Sequence, residues 1–363
     1  MHLTLHLTNR CNLACRYCYQ RHGEGDMSAE TARTAIRNCA SGENCGIIFF
    51  GGEPLLRRDL IFDTIRWCEG LSPGRFHYKV TTNGTLLDED FLREARAARL
   101  AVALSLDGVG SAHDSMRVFP DGTGTYGRIL PKLHALTAWQ PYAPVMMTVN
   151  PETVASFAAG VRALKDAGVR YLIASLNFAG NWTDASFRKL KGEYRELGRM
   201  YLEDHRAERK FYFSPFDTRI ASHIAGEVCT TCRLGKRQIS VAPDGTLYPC
   251  VQFVDHAEYA IGSAETGIDE SRREAIFLRN EAVKPTCEGC DYVRRCHNRC
   301  GCLNFQTTGG LDAVTPLLCE HERFLIRLSD KLANTLYAER NPLFLQQHYN
   351  PSFSILSILE DMR

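Results

Sequence analysis

Through its first two-thirds the chain alternates short runs rich in β-branched and aromatic residues with longer stretches whose apolar residues recur every three or four positions. The runs predict strands at 3–8, 46–50, 77–83, 101–106, 144–149 and 170–176, and the stretches predict helices near 28–40, 58–70, 88–98, 124–138, 153–167 and 184–209. Ser28, with Glu30 in the first turn, and Asp88, ahead of Phe91-Leu92, are start signals. A side-chain oxygen there satisfies first-turn N–H groups, and acidic residues complement the helix dipole. Strand followed by helix, six times over, predicts an α/β fold: a partial (β/α)6 TIM-like barrel over residues 1–210 with parallel strands. In such barrels the loops after the strands build the active site. Cys11 to Cys18, Gly51 to Glu53, Asn83, Ser105 and Asn150 all fall at predicted strand ends, so they converge on one mouth.

Beyond about residue 210 this period fades. Gln238 to Pro249 predicts a hairpin around Pro243-Asp244-Gly245, with Cys250 at its exit. A small cysteine-rich auxiliary domain is expected over 211–325; within it Cys287 to Cys319 has few apolar residues and no sustained period, so metal ligation is expected to supply most of that stretch's folding free energy. Residues 326–363 follow as a C-terminal region, with a helix expected over 320–340 and a peripheral tail from Asn341.

Composition changes this picture little. The 363 residues are 44% hydrophobic and 23% charged with a formal net charge of +1, so no basic field argues for nucleic acid. Met1 runs straight into Leu3-Thr4-Leu5 without a signal peptide's basic and apolar regions, and no apolar stretch approaches the ~20 residues of a membrane span. The 15 cysteines suit metal-binding thiolates better than disulfides, which places the protein in a reducing cytoplasm such as an anaerobe's.

The cysteine spacing carries the chemistry. Cys11, Cys15 and Cys18 stand in one short loop, Thr8 to Tyr19. Three thiolates on a cubane iron-sulfur cluster leave the fourth iron without a protein ligand, open to a reactant. The alternatives are a disulfide or a zinc knuckle. Zinc would want a fourth Cys or His close by, and between Cys18 and Cys39 only His22 stands.

The C-x3-C-x2-C spacing, with Tyr17 before the third cysteine, resembles the signature of the radical S-adenosylmethionine (SAM) superfamily. The resemblance implies that the open iron of a [4Fe-4S] cluster chelates SAM, and that one electron cleaves SAM to a 5′-deoxyadenosyl radical. Phe49-Phe50-Gly51-Gly52-Glu53-Pro54 is similar to the superfamily's GGE motif, whose backbone and carboxylate contact the SAM ammonium. Alone it would be an ordinary turn; glycines also let main chain approach a ligand. Val80-Thr81-Thr82-Asn83-Gly84 and Leu104-Ser105-Leu106-Asp107-Gly108, with His113-Asp114 and Arg117 beyond, are similar to later strand ends of the superfamily. The implied SAM contacts are Tyr17, Gly51, Gly52, Glu53, Asn83, Ser105, Asp107, Arg117 and Asn150.

Cys232, Gly245, Cys250, Cys287-x2-Cys290-x5-Cys296-x3-Cys300 and Cys319 resemble the seven-cysteine pattern of the SPASM extension, which holds two auxiliary [4Fe-4S] clusters. A pair of zinc sites is the alternative. Two full clusters need eight thiolates, and Cys229 is the natural eighth. The resemblance then implies Cys229, Cys232, Cys250 and Cys300 on the first auxiliary cluster and Cys287, Cys290, Cys296 and Cys319 on the second. With the SAM cluster this makes three [4Fe-4S] clusters. Cys39, Cys45 and Cys68 read as buried small hydrophobes. Cys302 stays open: it could replace a ligand or stand free.

The resemblance implies a radical SAM enzyme that oxidises a peptide or protein substrate, most readily to a thioether crosslink. An anaerobic sulfatase maturase, which makes formylglycine, is the second enzyme reading. The aspartate that follows the hairpin cysteine in those enzymes is Val251 here, with Asp255 five residues on. An iron-sulfur electron carrier or scaffold is the reading of another class. Expected partners are a flavodoxin- or ferredoxin-type electron donor and, since only two residues precede the first strand, a separate leader-peptide-recognition protein or direct recognition at the mouth.

Overall fold

Each strand-helix repeat of the sequence is present in the computed structural model, which describes residues 1–20, 22–226, 233–296 and 300–353. The strands are β1 (His2–His6), β2 (Cys45–Phe50), β3 (Phe76–Thr82), β4 (Leu100–Ser105), β5 (Pro144–Val149) and β6 (Tyr171–Leu176). Helices α1 (Ala29–Cys39), α2 (Arg58–Leu71), α3 (Glu89–Ala97), α4 (Gly110–Met116), α5 (Tyr126–Trp139), α6 (Phe157–Asp166) and α7 (Asp184–Arg206) lie between or after them. All six strands run parallel, with Leu5 opposite Phe49, Phe49 opposite Val80, Val80 opposite Val102, and Val145 opposite Leu172. The start signals act as expected: Ser28 Oγ accepts from Thr31 N–H at 2.9 Å, and Asp88 Oδ1 accepts from Phe91 N–H at 2.7 Å.

Alternation along the strands sorts the side chains. Leu3, Leu5, Ile47, Phe49, Val80, Val102, Val145 and Leu172 are fully buried in the core. The opposite positions carry His2, Thr4, His6, Lys79, Thr81, Ser105, Thr148 and Ser175, a polar face of the same sheet.

The sheet continues across residue 210. β7 (Tyr212–Phe213) pairs with β6, and α8 (Ser214–Ala225) follows. The expected hairpin forms as β8 (Gln238–Val241) and β9 (Leu247–Tyr248), but β8 pairs parallel with β1, His2 opposite Gln238 and Leu5 opposite Val241. The described sheet thus has nine strands in the order β7-β6-β5-β4-β3-β2-β1-β8-β9, and the hairpin that delivers Cys250 is an edge of the sheet that carries Cys11.

Beyond it come α9 (Glu270–Glu281), α10 (Gly301–Thr308), α11 (Pro316–Ala338) and α12 (Pro342–Tyr349). α11 is tied to α8 by a buried two-pronged pair, Arg219 to Glu322 at 2.7 Å for each prong. The tail expected to be peripheral is packed into the protein at its start, over 341–344. Asn341 Oδ1 caps α12 through Phe344 N–H at 2.9 Å, Asn341 Nδ2 donates to His205 O at 2.8 Å, and Phe344 is fully buried. Asn341-Pro342 was a legible start signal, since proline suits the first helical position. Residues 354–363 lie outside the described residues. Among the described residues no helix is long and apolar enough to cross a membrane.

Candidate active site and metal centres

The loop after β1 is stitched down before any ligand is considered. Gly52 N–H donates to Thr8 O and Glu53 N–H to Arg10 O, both at 2.9 Å, while Ala14 and Arg16 donate to Val118 O and Met116 O at 2.8 and 2.9 Å. Thr8 Oγ1 and the Arg10 guanidinium share Asp26. Cys11 and Cys15 are half-buried and Cys18 is exposed. Burial, with Glu53, Cys15 and Cys18 adding, pushes the Cys11 thiol up to about 12; burial also raises Cys15, against the pull of Arg117. Thiols so placed ionise only beside added positive charge, which iron would supply. The donor set therefore fits a cationic cluster. His22 Nε2 lies 3.4 Å from Cys18 Sγ. Among the described residues no three His, Cys, Asp or Glu side chains close around a single-ion position.

Gly51 and Gly52 serve the protein's own packing first. Gly51 has φ +126°, and a Cβ there would stand 2.5 Å from Thr8 O; at Gly52 it would stand 2.2 Å from Arg10 O. Only glycine lets the cysteine loop lie this close to the end of β2. Glu53 is 1% exposed. Its Oε1 accepts from Leu55 N–H at 3.0 Å and Thr82 Oγ1 at 2.7 Å, and its Oε2 from Asn83 N–H at 2.8 Å. Desolvation nonetheless raises its pKa to about 7, above what those bonds offset.

The other expected contacts gather at the same strand ends. Asn83 Nδ2 donates to Asn12 Oδ1 at 2.9 Å and lies 3.9 Å from Cys11 Sγ. Ser105 ends β4, half-buried. Asp107 accepts from Tyr17 OH at 2.6 Å, Arg117 Nε at 2.9 Å and Thr148 N–H at 2.9 Å, so Asp107, Tyr17 and Arg117 form one brace across the mouth. Burial opposes the Arg117 charge, yet Asp107 and Tyr17 hold its pKa above the ordinary arginine value. Thr148 and His113, whose Nδ1 accepts from Asp107 N–H at 3.1 Å, belong to this brace. Asn150 Oδ1 accepts from Asn177 Nδ2 at 2.9 Å, while Asn150 Nδ2 is buried without a partner. A buried amide donor left unpaired asks for an acceptor.

In the C-terminal third, Cys287, Cys290, Cys296 and Cys319 line one cavity, together with Arg323, whose guanidinium lies 3.5 Å from Cys290 Sγ. Cys300 Sγ lies 3.0 Å from Cys302 Sγ. Cys229 and Cys232 lie outside the described residues. Tyr19 and Gln20, just past Cys18, share a second cavity with His6, Val251, Gln252, Asp255 and His256, so the cysteine loop and the exit of Cys250 meet there. Asp255 adopts φ +71°, which turns the chain sharply at this wall.

A family model described as the radical SAM superfamily matches residues 5–178, the segment that holds the cysteine loop, the Gly-Gly-Glu end and the brace. The chain carries a radical SAM domain. Members bind SAM and a [4Fe-4S] cluster, and the chain is an enzyme of this superfamily. It is similar to the cysteine-type anaerobic sulfatase-maturating enzyme of Clostridium novyi, 23% identical over 322 residues covering 81% of this chain and 85% of that one. An uncharacterized protein of Methanocaldococcus jannaschii is 36% identical over 124 residues, 33% of this chain and 43% of that protein. Among solved structures, native anSMEcpe with bound AdoMet superposes with a TM-score of 0.79 at 18% identity, covering 92% of this chain and 98% of that one. Streptococcus suis SuiB bound to precursor peptide SuiA gives 0.60 at 15% identity, covering 88% and 75%. At these identities the likeness establishes the fold, a radical SAM barrel followed by a cysteine-rich region, consistent with a SPASM-type group.

Proposed function

We propose that this radical SAM enzyme oxidises a peptide or protein substrate at carbon, ending most readily in a thioether from one of the substrate's cysteines. The observation that carries the reading is the shared cavity of Tyr19 and Gln20 with Val251 and Gln252, which sets the cysteine loop beside the exit of Cys250. Cys11, Cys15 and Cys18 hold the SAM cluster in this reading. Cys229, Cys232, Cys250 and Cys300 hold one auxiliary cluster, and Cys287, Cys290, Cys296 and Cys319 the other. Bound there, SAM and its cluster supply an oxidant that removes one hydrogen atom from the substrate. Closing the product's shell would then release one electron, which a cluster held by Cys229, Cys232, Cys250 and Cys300 would accept.

The chain's own groups position the cofactor. Glu53, locked by three donors, presents a carboxylate that an ammonium would hold ionised against the upward pull of burial. Asn150 Nδ2 offers its unpaired N–H to a carboxylate or hydroxyl oxygen. Asp107 is saturated by Tyr17, Arg117 and Thr148, so it orients Arg117 and needs no contact of its own. A low-potential electron donor and a separate leader-recognition protein complete the reading, with the cytoplasm as its place.

The reading is tested by reducing the anaerobically loaded protein with SAM and a co-expressed neighbouring peptide. Release of 5′-deoxyadenosine and a peptide lighter by two hydrogens are expected. Sulfatase maturation is the second reading, favoured by Asp255 and His256 reaching the cavity that Tyr19 and Gln20 line, so that an acid five residues past Cys250 is still brought to this wall. Formylglycine on a sulfatase peptide, with no two-hydrogen loss in the neighbouring peptide, would reverse the order. Membership of an enzyme superfamily sets aside the bare electron carrier.

A further inference from the structure

Cys302 falls outside the eight auxiliary ligands assigned above, yet its sulfur lies 3.0 Å from that of Cys300. Its thiol is also in hydrogen-bonding contact with Cys250. Cys250 and Cys302 both pack against the small apolar cluster of Leu234, Ala242, Tyr248, Phe253, Tyr259 and Leu311.

The residue between the two sulfurs allows no slack. A Cβ at Gly301 would stand 2.4 Å from Asn280 Oδ1 and 2.9 Å from Leu234 Cδ2, so the Cys-Gly-Cys turn is pressed against α9 and the hairpin region. Cys300 is the N-cap residue of α10, without a side-chain cap hydrogen bond, and Cys302 sits in the first turn of that helix. Ligand thiolates of a cubane approach separate iron corners from different directions. Two sulfurs at contact distance are instead placed to compete for one corner.

We propose that Cys300 and Cys302 are alternative ligands of a single iron of the first auxiliary cluster. This rests on the reading that such a cluster forms around Cys250. In the exchange the iron–sulfur bond to Cys300 breaks as that to Cys302 forms. The departing thiolate takes up the proton that the arriving thiol gives up, and the iron keeps its oxidation state. The corner is then never stripped of protein donors.

The test uses the full chain, loaded anaerobically with iron and sulfide, counted for iron and labelled with iodoacetamide before peptide mass spectrometry. About twelve irons in the unaltered protein, at four per cluster, are the expected starting point; about eight would overturn the cluster reading itself. In that loaded protein the label should divide between Cys300 and Cys302, about one equivalent in total, and both should label fully after chelation. Cys300→Ala should keep about twelve irons and protect Cys302, whereas Cys300→Ala with Cys302→Ala should lose about four. The proposal is overturned if Cys302 labels fully while Cys300 is fully protected, or if both are protected. Loss of about four irons from a folded Cys300→Ala protein would also overturn it. Should Cys300→Ala not fold, labelling of the unaltered protein decides alone.

Discussion

The cysteines at the mouth of the sheet and those of the C-terminal third differ in what holds them. Cys11, Cys15 and Cys18 ride on a loop bound to β2 and to the segment after α4 by backbone hydrogen bonds, over a core of fully buried strand residues. Cys250 and Cys302 pack, among the described residues, against a cluster of six buried apolar residues, and the segment from Cys287 to Cys296 contributes none of them. In the first region the polypeptide alone sets the position of the thiols; in the second, we propose, metal would be needed to complete the fold.

The strongest test of that contrast removes metal from each region in turn. Changing Cys11, Cys15 and Cys18 together to Ala should abolish 5′-deoxyadenosine release while leaving about eight irons and an unchanged protease pattern, at four irons per cluster. Cys290→Ala should instead leave the segment from about residue 280 open to protease while residues 1–225 stay resistant. A resistant, soluble Cys290→Ala protein lacking only one cluster would erase the contrast.

A second test probes the tie between the regions. Arg219→Met takes the Arg219 guanidinium away from the buried Glu322 carboxylate, and such a loss is expected to lower stability by about 3–5 kcal/mol in urea unfolding. A change under about 1 kcal/mol would mean that water or another cation reaches Glu322.

Smaller effects come from the brace. His113 is buried and burial holds its pKa at about 4, below the ordinary histidine value of 6.5. The unfolded chain therefore takes up the proton first as pH falls. Stability tied to His113 is complete above pH 6.5 and is lost between 6.5 and about 4. His113→Gln should flatten that slope in unfolding measured from pH 7 to 4. Smallest of all, Asn150→Leu should change stability by only about 1 kcal/mol, because removing a buried unpaired donor offsets losing the acceptor of Asn177 Nδ2. If Asn150 holds the cofactor, SAM affinity should fall several-fold by equilibrium binding; unchanged affinity would remove it from the site.

The repeats and most of the motif positions were legible in the sequence because their causes are local. Helix periods, the caps at Ser28 and Asp88 and the spacing of Cys11, Cys15 and Cys18 each act within a few residues. Gly51 and Gly52 were legible as a turn, whereas the crowding by Thr8 O and Arg10 O that demands them was not, since it arises only when β1 and β2 lie side by side. α12 was missed because the polar Asn341 reads as surface until His205 and Phe344 enclose it.

The amino-acid sequence by itself determined the six strand-helix units, the three-cysteine loop and the wealth of thiols in the C-terminal third. Only the tertiary structure decided that β8 joins β1, that Asp107 binds Tyr17 and Arg117, that Asp255 shares a wall with Tyr19, and that Cys302 touches Cys300. The reason is physical. Periodicity and capping are short-range, whereas sheet-edge pairing, buried ion pairs and the direction in which a thiol points depend on what distant segments leave room for.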